Sequence, residues 1–399
     1  MIRDRSVRLV YLTIFLLGCG YGASLSITAL HLKSLFDEWQ IGTLGTWFAG
    51  GIIAMSLPAG ALIRRFSAKA TLILCLTLYA VSVVLFPLVT SYWAVGAVRS
   101  VDGAASVGVW VACETVLLAR SDKENKALVM SVYAMAIAIG YVVGSGMARA
   151  LVLWLSYREV FFVAGAIAVV SAIVVFTLLD SDAQVSQTES AESLKEPGEP
   201  TASLLWRIKT SCLATFSYGY FQAAVVLFLP IYLVKSGKVE EKDTVLITAF
   251  FAGGMLIFSS LWARLGDRIG HLRVITVLSI IGLSMILGFV FLSSWPLMCV
   301  AIFIAGATLA SISPVSLALQ GHIAHPRDYS RANALYNVCY GAGMLLGPPI
   351  SGRIVHDKGG ETMLYHFAAL WLGFAVLTVV FRRDDPHVSK RAAVSRSTA

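Results

Sequence analysis

The residues best suited to chemistry in this 399-residue chain interrupt a single apolar run, Tyr92 to Leu118. They are Arg99, Asp102 and Glu114. A charge at the centre of a bilayer costs at least ~2.5–3.5 kcal/mol, so such residues usually face a bundle interior or a water-filled cavity. Arg99, Asp102, Ser106, Trp110 and Glu114 step by three and four, which keeps them on one face of a helix. The flanking Val101, Ala104, Ala105, Val107 and Val111 are small or apolar. At a rise of ~1.5 Å per residue, Arg99 lies about 10 Å below one surface and Glu114 roughly 22 Å further in. The three charges therefore split into two features. Asp102 stands three residues from Arg99 and is placed to pair with it.

Two readings of that pair are open. Arg99 anchors an anionic or polar solute, with Asp102 as its partner and as a carrier of a coupled proton. Alternatively the two form a permanent ion pair, which lowers the cost of insertion. Glu114 likewise either braces a loop by pairing with Arg65 or Lys69, or forms with them a gate that opens and closes. Other runs offer lining residues. Tyr21, Ser24, Thr28 and His31 form one polar stripe, with His31 expected in solvent at its outer end. Tyr218 and Gln222 lie one turn apart, and Asn333, Asn337 and Tyr340 form another stripe. Ser311, Ser313 and Ser316 surround Pro314. Such groups bind polar ligands but also hydrogen-bond between helices.

The elements that position these residues follow from composition. The chain is 57% hydrophobic and only 14% charged, with a mean hydropathy of +0.77. A water-soluble domain sits nearer half apolar and a quarter charged, so the solvent here is a bilayer. Twelve apolar runs have the roughly 20 residues that a spanning helix needs. They lie at about 9–31, 41–63, 68–90, 92–119, 127–150, 158–179, 208–234, 244–264, 272–293, 295–320, 331–355 and 362–381. The expected fold is an all-α polytopic membrane protein.

The net charge of +8 is distributed as topology requires. With the N-terminus inside, about 22 Lys/Arg fall on the cytoplasmic side and about 8 outside, which satisfies the positive-inside rule. Both termini are then cytoplasmic. No basic face interleaved with aromatics suggests nucleic acid. The six cysteines all lie within spans, without metal-type spacing, and read as small buried hydrophobes.

Asp180 to about Arg207 is rich in Ser, Glu and Pro, the composition of a disordered linker. It divides the chain into a six-helix half at 1–180, a linker at 181–207, a second six-helix half at 208–382 and a tail at 383–399. The halves repeat at an offset of 203 residues. Phe48-Ala49-Gly50-Gly51 returns as Phe251-Ala252-Gly253-Gly254, and Arg65 falls on Arg268. Gly103 falls on Gly306, and Gly140 with Gly144 on Gly343 with Gly347. Glycines at spacing four let helix backbones approach and slide. Pro348 and Pro349 remove two donors in mid-membrane and predict a bend.

With those motifs the chain resembles the major facilitator superfamily over essentially its whole length. Ala263 to Arg273 is close to that family's loop signature G-x-x-x-D-R-x-G-R-R, with Asp267 and Arg268 in place. In the first half Arg64 stands where the signature has Asp, and Ser67 where it has Gly. Arg99 with Gly103 and Gly108 resembles the family's span-4 arginine motif, and Gly343 to Gly352 its span-11 glycine-proline signature. Gly140 to Gly146 lacks the proline that marks many family antiporters.

The resemblance implies two pseudo-symmetric six-helix bundles in a bacterial inner membrane, working as a monomer. It further implies a secondary transporter with a midplane substrate site, carrying a small solute by alternating access with a proton as coupling ion. Uptake of an anionic or hydroxylated metabolite and proton-driven efflux of lipophilic compounds both fit. A transporter-shaped sensor fits less well, because the tail is short. No phosphate loop, zinc-type cluster or activated nucleophile is visible, so no enzyme activity and no cofactor are expected.

Overall fold

A computed structural model describes residues 4–120, 126–179, 199–325 and 328–385. Most of the predicted linker, the tail beyond Asp385, Lys123 and Arg327 lie outside the described residues, as do the side chains of Arg64 and Lys126. Among the described residues there is no strand, and twelve helices have membrane-crossing length. The first six are α1 (Arg5–Lys33), α2 (Glu38–Phe66), α3 (Ala68–Leu85), α4 (Tyr92–Ala119), α5 (Lys126–Leu151) and α6 (Tyr157–Leu178). The second six begin with α7 (Lys209–Lys235), α8 (Ile247–Ile269) and α9 (His271–Phe291). They continue with α10 (Trp295–Ile323), α11 (Tyr329–Lys358) and α12 (Gly360–Val380). Ten of these spans are also apolar enough to cross a membrane. Helices are the expected solution, because lipid offers backbone N–H and C=O groups no partners.

Local chemistry sets the ends. Asp37 and Gln40 form a reciprocal capping box at α2, and Ser156 with Glu159 does the same at α6. Pro87 ends α3 early, in a short 3₁₀ turn at Phe86–Leu88, because its ring cannot continue the α-helical ladder.

The chain packs as two compact units, Met1–Glu189 with Val226–Ala249, and Ser190–Val225 with Phe250–Ala399. Within the first, α1 lies against α5 and α2 against α4. Backbones touch at both crossings. A Cβ on Gly144 would sit 2.1 Å from the Cys19 carbonyl oxygen, and one on Gly103 2.1 Å from that of Phe48. The second unit repeats the device. A Cβ on Gly347 would sit 2.3 Å from the Tyr220 carbonyl oxygen, and one on Gly306 2.0 Å from that of Phe251. The sequence repeat is thus a repeat of helix crossings, with the first helix of each half shifted by two residues from the common register.

Three local features add to the sequence reading. Thr201–Arg207 is helical rather than disordered. Leu204 anchors it, fully buried in an apolar cluster with Ile208, Cys212, Ala324 and Ala332. α10 is interrupted by a π-helical turn at Gly306–Ala310, whose Ala307 carbonyl accepts from Trp262 Nε1 at 2.7 Å. α11 runs through Pro348 and Pro349 without a break.

The α2–α3 and α8–α9 turns share one backbone conformation. Gly270 has φ 104° and ψ 132°, and Ser67, at the repeat-related position, has φ 97° and ψ 159°. That region suits glycine alone, and a side chain there costs ~1–3 kcal/mol. Ser67 recovers part of the cost by capping α3, its Oγ accepting from Ala70 N at 3.2 Å. Replacing a cap by Gly loses only a few tenths of a kcal/mol. Ser67→Gly is therefore expected to stabilise the protein by ~1 kcal/mol, and Gly270→Ser to destabilise it. Thermal unfolding of the purified protein in detergent measures both.

Candidate functional site

α4 turns its polar face into the first bundle. Arg99 and Asp102 are 8% and 7% exposed and Ser106 is fully buried, while Val101 on the opposite face is exposed. Arg99 Nη1 donates to Asp102 Oδ2 at 2.6 Å. The guanidinium lies over the Phe48 ring, 4.3 Å from its centroid, with Phe86 at 5.8 Å. Rings at these distances attract the cation through their quadrupole. Ser106 Oγ donates to the Asp102 carbonyl at 2.6 Å. Asp102 Oδ1 has no hydrogen-bond partner, although it is buried.

An aromatic cluster surrounds this pair. The Tyr21 ring centroid is 4.9 Å from that of Tyr79, 5.8 Å from Tyr141 and 6.2 Å from Trp110. Tyr21 and Tyr79 both lie within electrostatic reach of Arg99 and Asp102. The Tyr21 and Tyr79 hydroxyls and Trp110 Nε1 are buried without hydrogen-bond partners, like Asp102 Oδ1. Each such group costs about 1–3 kcal/mol when left unpaired. The pair's own Asp102 Oδ1 and the two tyrosine hydroxyls near it thus keep hydrogen-bonding capacity uncommitted, which suits a polar ligand.

The rest of the α1 stripe is less available. Thr28 Oγ1 donates to the Ser24 carbonyl at 2.8 Å, and Ser24 Oγ to that of Tyr21 at 3.4 Å. His31 is not solvated as expected. Its ring packs against Phe86 and Phe161, with centroids 5.5 and 5.6 Å away, and its Nε2 is buried. The 3₁₀ turn explains the change, because it brings Phe86 back over the end of α1.

In the second unit, Tyr218, Gln222 and Tyr340 come together. Tyr340 OH donates to Gln222 Oε1 at 2.8 Å, and its ring stacks on Tyr218 at 6.0 Å. Asn333 and Asn337 are exposed and outside this group. Of the serines around Pro314, Ser313 and Ser316 are engaged, since Tyr336 OH lies 3.0 Å from both of their Oγ atoms, whereas Ser311 Oγ is buried without a hydrogen-bond partner. Tyr336 was not singled out from the sequence, though it stands four residues before Tyr340.

Of the loop residues, Lys69 donates to the Leu179 carbonyl at 2.5 Å, closing the end of α6, and Arg65 is exposed with its guanidinium 5.2 Å from the Phe66 ring centroid. Neither pairs with Glu114 in this conformation. Arg268 is exposed, and Asp267 Oδ1 faces both His271 and His322. Sequence reasoning also missed three polar ties in the first unit. Arg149 Nη2 pairs with Asp243 at 2.6 Å, Tyr157 OH donates to Glu241 at 2.6 Å, and Lys235 pairs with Glu38. Their partners are far apart in the chain, so no local spacing signals them.

The sequence profile of the Major Facilitator Superfamily matches residues 10–239 and 211–398. The chain belongs to that superfamily. Its relatives include the uncharacterized MFS-type transporter YfkF of Bacillus subtilis strain 168, 23% identical over 90% of this chain and 87% of that protein. The MFS-type transporter YcaD of Salmonella arizonae is 22% identical over 95% of this chain and 96% of its own length. Among solved structures, the nucleoside transporter NupG superposes with a TM-score of 0.77 at 15% identity, over 94% of this chain and 99% of its own. A bacterial homolog of the human lysosomal transporter Spinster, inward-facing and occupied, gives 0.71 at 15% identity, over 94% of this chain and 93% of its own. At such identity the structural likeness shows the fold alone. This superfamily member is a multi-pass membrane transporter.

The Arg99–Asp102 pair has an energetic test. Arg99→Met leaves Asp102 buried with no counter-charge, which costs ~3–5 kcal/mol, whereas an apolar replacement of both partners is often near neutral. Thermal unfolding is expected to show a large loss for Arg99→Met and recovery of most of it in Arg99→Met/Asp102→Leu.

Proposed function

We propose that this chain is a proton-coupled secondary transporter, with its substrate held at the Arg99–Asp102 cluster of the first unit. The supporting observation is the unpartnered Asp102 Oδ1, buried within electrostatic reach of Tyr21 and Tyr79, whose hydroxyls are likewise buried without geometric hydrogen-bond partners. A purely structural ion pair would be expected to satisfy both carboxylate oxygens, because a buried unpaired acceptor is costly. The pair is neutral overall, so the site suits a neutral or weakly charged solute with hydroxyl groups and a flat face. Tyrosine rings supply stacking and the free polar atoms supply orientation. A planar, hydroxylated solute of this kind is the class to which the substrate of the structurally similar nucleoside transporter NupG belongs.

Coupling follows from the same atoms. With Asp102 charged, Arg99 is neutralised and the site is closed on itself. A proton on Asp102 releases the guanidinium to the substrate and leaves the carboxyl as a donor. Binding and protonation then favour one another, and by linkage the effect is reciprocal. A ligand panel of nucleosides, sugars and hydroxy acids, read by thermal shift, identifies the solute, since any ligand stabilises the state it binds.

In proteoliposomes, Asp102→Asn is expected to keep counterflow of that solute while losing accumulation driven by a pH gradient. Accumulation equal to wild type removes Asp102 from coupling. Arg99→Lys is expected to weaken binding about tenfold or more, because an ammonium cannot reproduce the planar fork. The cytoplasmic placement of both termini follows from the positive charge on that side. A C-terminal fluorescent-protein fusion is expected to glow, and an alkaline phosphatase fusion at the same point to be inactive.

A further inference from the structure

A second cluster of chemically capable side chains lies at the far end of the second unit, away from its tyrosines. Asp267 is on the last turn of α8, His271 is the first residue of α9, and His322 is on the last turn of α10. His271 Nε2 and His322 Nε2 approach the same oxygen, Asp267 Oδ1, at 3.3 and 3.6 Å. The ligand atoms of all three residues lie within 4.8 Å of one another.

These separations are long for charge-assisted hydrogen bonds, which run at ~2.7–2.9 Å. They are close to two edges of a coordination shell. Ligands bound at ~2.1 Å and near-tetrahedral angles stand about 3.4 Å apart.

The scaffold holds these donors before any ion arrives. Gly270 turns the chain through φ 104°, which sets Asp267 and His271 on adjoining helix ends. Gly266 leaves room for the imidazole, since a Cβ there would lie 2.8 Å from His271 Cδ2. Asp385 Oδ2 accepts from Leu272 N at 2.9 Å and pins the start of α9. His271 is 1% exposed. The side chains of Asp267 and His322 are 59% and 57% exposed, so an ion has a route in from solvent.

We infer that Asp267, His271 and His322 form a binding site for one divalent transition-metal ion. Two imidazoles and one carboxylate select zinc, cobalt or nickel over magnesium or calcium, which prefer all-oxygen shells. Three protein ligands leave coordination positions for water. A bound ion joins the α8–α9 turn to the end of α10, restraining three helix ends at once. The superfamily's loop signature has arginine where this chain has His271, so the site replaces a fixed charge with a conditional one. By the charge distribution these ends face the cytoplasm, where the site would report metal availability.

The test uses full-length, tag-free protein in detergent, titrated with cobalt(II) by visible absorbance and with zinc(II) by calorimetry. One equivalent is expected to bind saturably, with absorption bands of low-symmetry cobalt, and zinc is expected to raise the unfolding temperature. Asp267→Asn and His322→Gln alter exposed side chains, so both variants should fold, as size-exclusion chromatography checks. Each is expected to weaken binding at least tenfold, while His356→Gln, beside Asp357 elsewhere in the unit, is expected to leave it unchanged. The inference is overturned by the absence of saturable binding below about 1 mM in wild type, an affinity worth ~4 kcal/mol. It is equally overturned by binding that survives both substitutions, or that His356→Gln abolishes as well.

Discussion

Helices in lipid have no hydrophobic incentive to associate, so each bundle depends on how closely backbones can touch. Here the contact is glycine against a carbonyl on the facing helix. Gly140 and Gly144 meet α1, Gly103 meets α2, Gly343 and Gly347 meet α7, and Gly306 meets α8. A methyl group at any of these positions would sit well inside van der Waals contact distance of a backbone oxygen. Sidedness of the polar faces follows from that constraint. Once α2 and α4 cross at Gly103, its neighbour Asp102 and the preceding Arg99 have to turn into the bundle, under Phe48.

The two halves use the same crossing for different ends. In the first, the residues before Gly103 carry a buried ion pair that needs rings and hydroxyls around it. In the second, the residues before Gly306 are apolar, and the helix itself becomes irregular at Gly306–Ala310. π-helical turns are rare and cluster at functional sites. This one presents the Ala307 carbonyl to Trp262 rather than leaving it without a side-chain donor. At this crossing one half has placed its polarity in side chains, and the other has placed it in the backbone.

Much of this was legible in the sequence because it is periodic. Helix number, the two halves, the glycine crossings and the inward face of α4 all follow from spacing along one chain segment. The Arg99–Asp102 pair was legible for the same reason, since its partners are one turn apart. The cage around it was not. Tyr79 comes from α3, Tyr141 from α5 and Phe86 from a 3₁₀ turn, and no local pattern connects them. His31 looked like an end-of-helix residue until Pro87 folded Phe86 across it. The helix at Thr201–Arg207 was masked by a Ser/Pro-rich composition, in which the single buried Leu204 carries little weight in any average.

Ser67 shows how a departure from a motif acquires physical meaning. In the sequence it is a missing glycine. In the structure its φ of 97° shows that the turn kept the glycine conformation after the glycine was lost. Its partner Gly270 kept both, and His271, directly after it, adds an imidazole to the signature's own Asp267 in the Asp267–His271–His322 cluster. One turn therefore carries strain and a helix cap, while its repeat keeps the geometry and carries a histidine donor. The second turn can hold converging ligands because Gly270 makes its backbone path inexpensive, whereas at Ser67 that path already consumes stabilising energy. Divergence of the two loops thus follows from a single backbone position, and it runs parallel to the divergence of the two helices that carry Gly103 and Gly306.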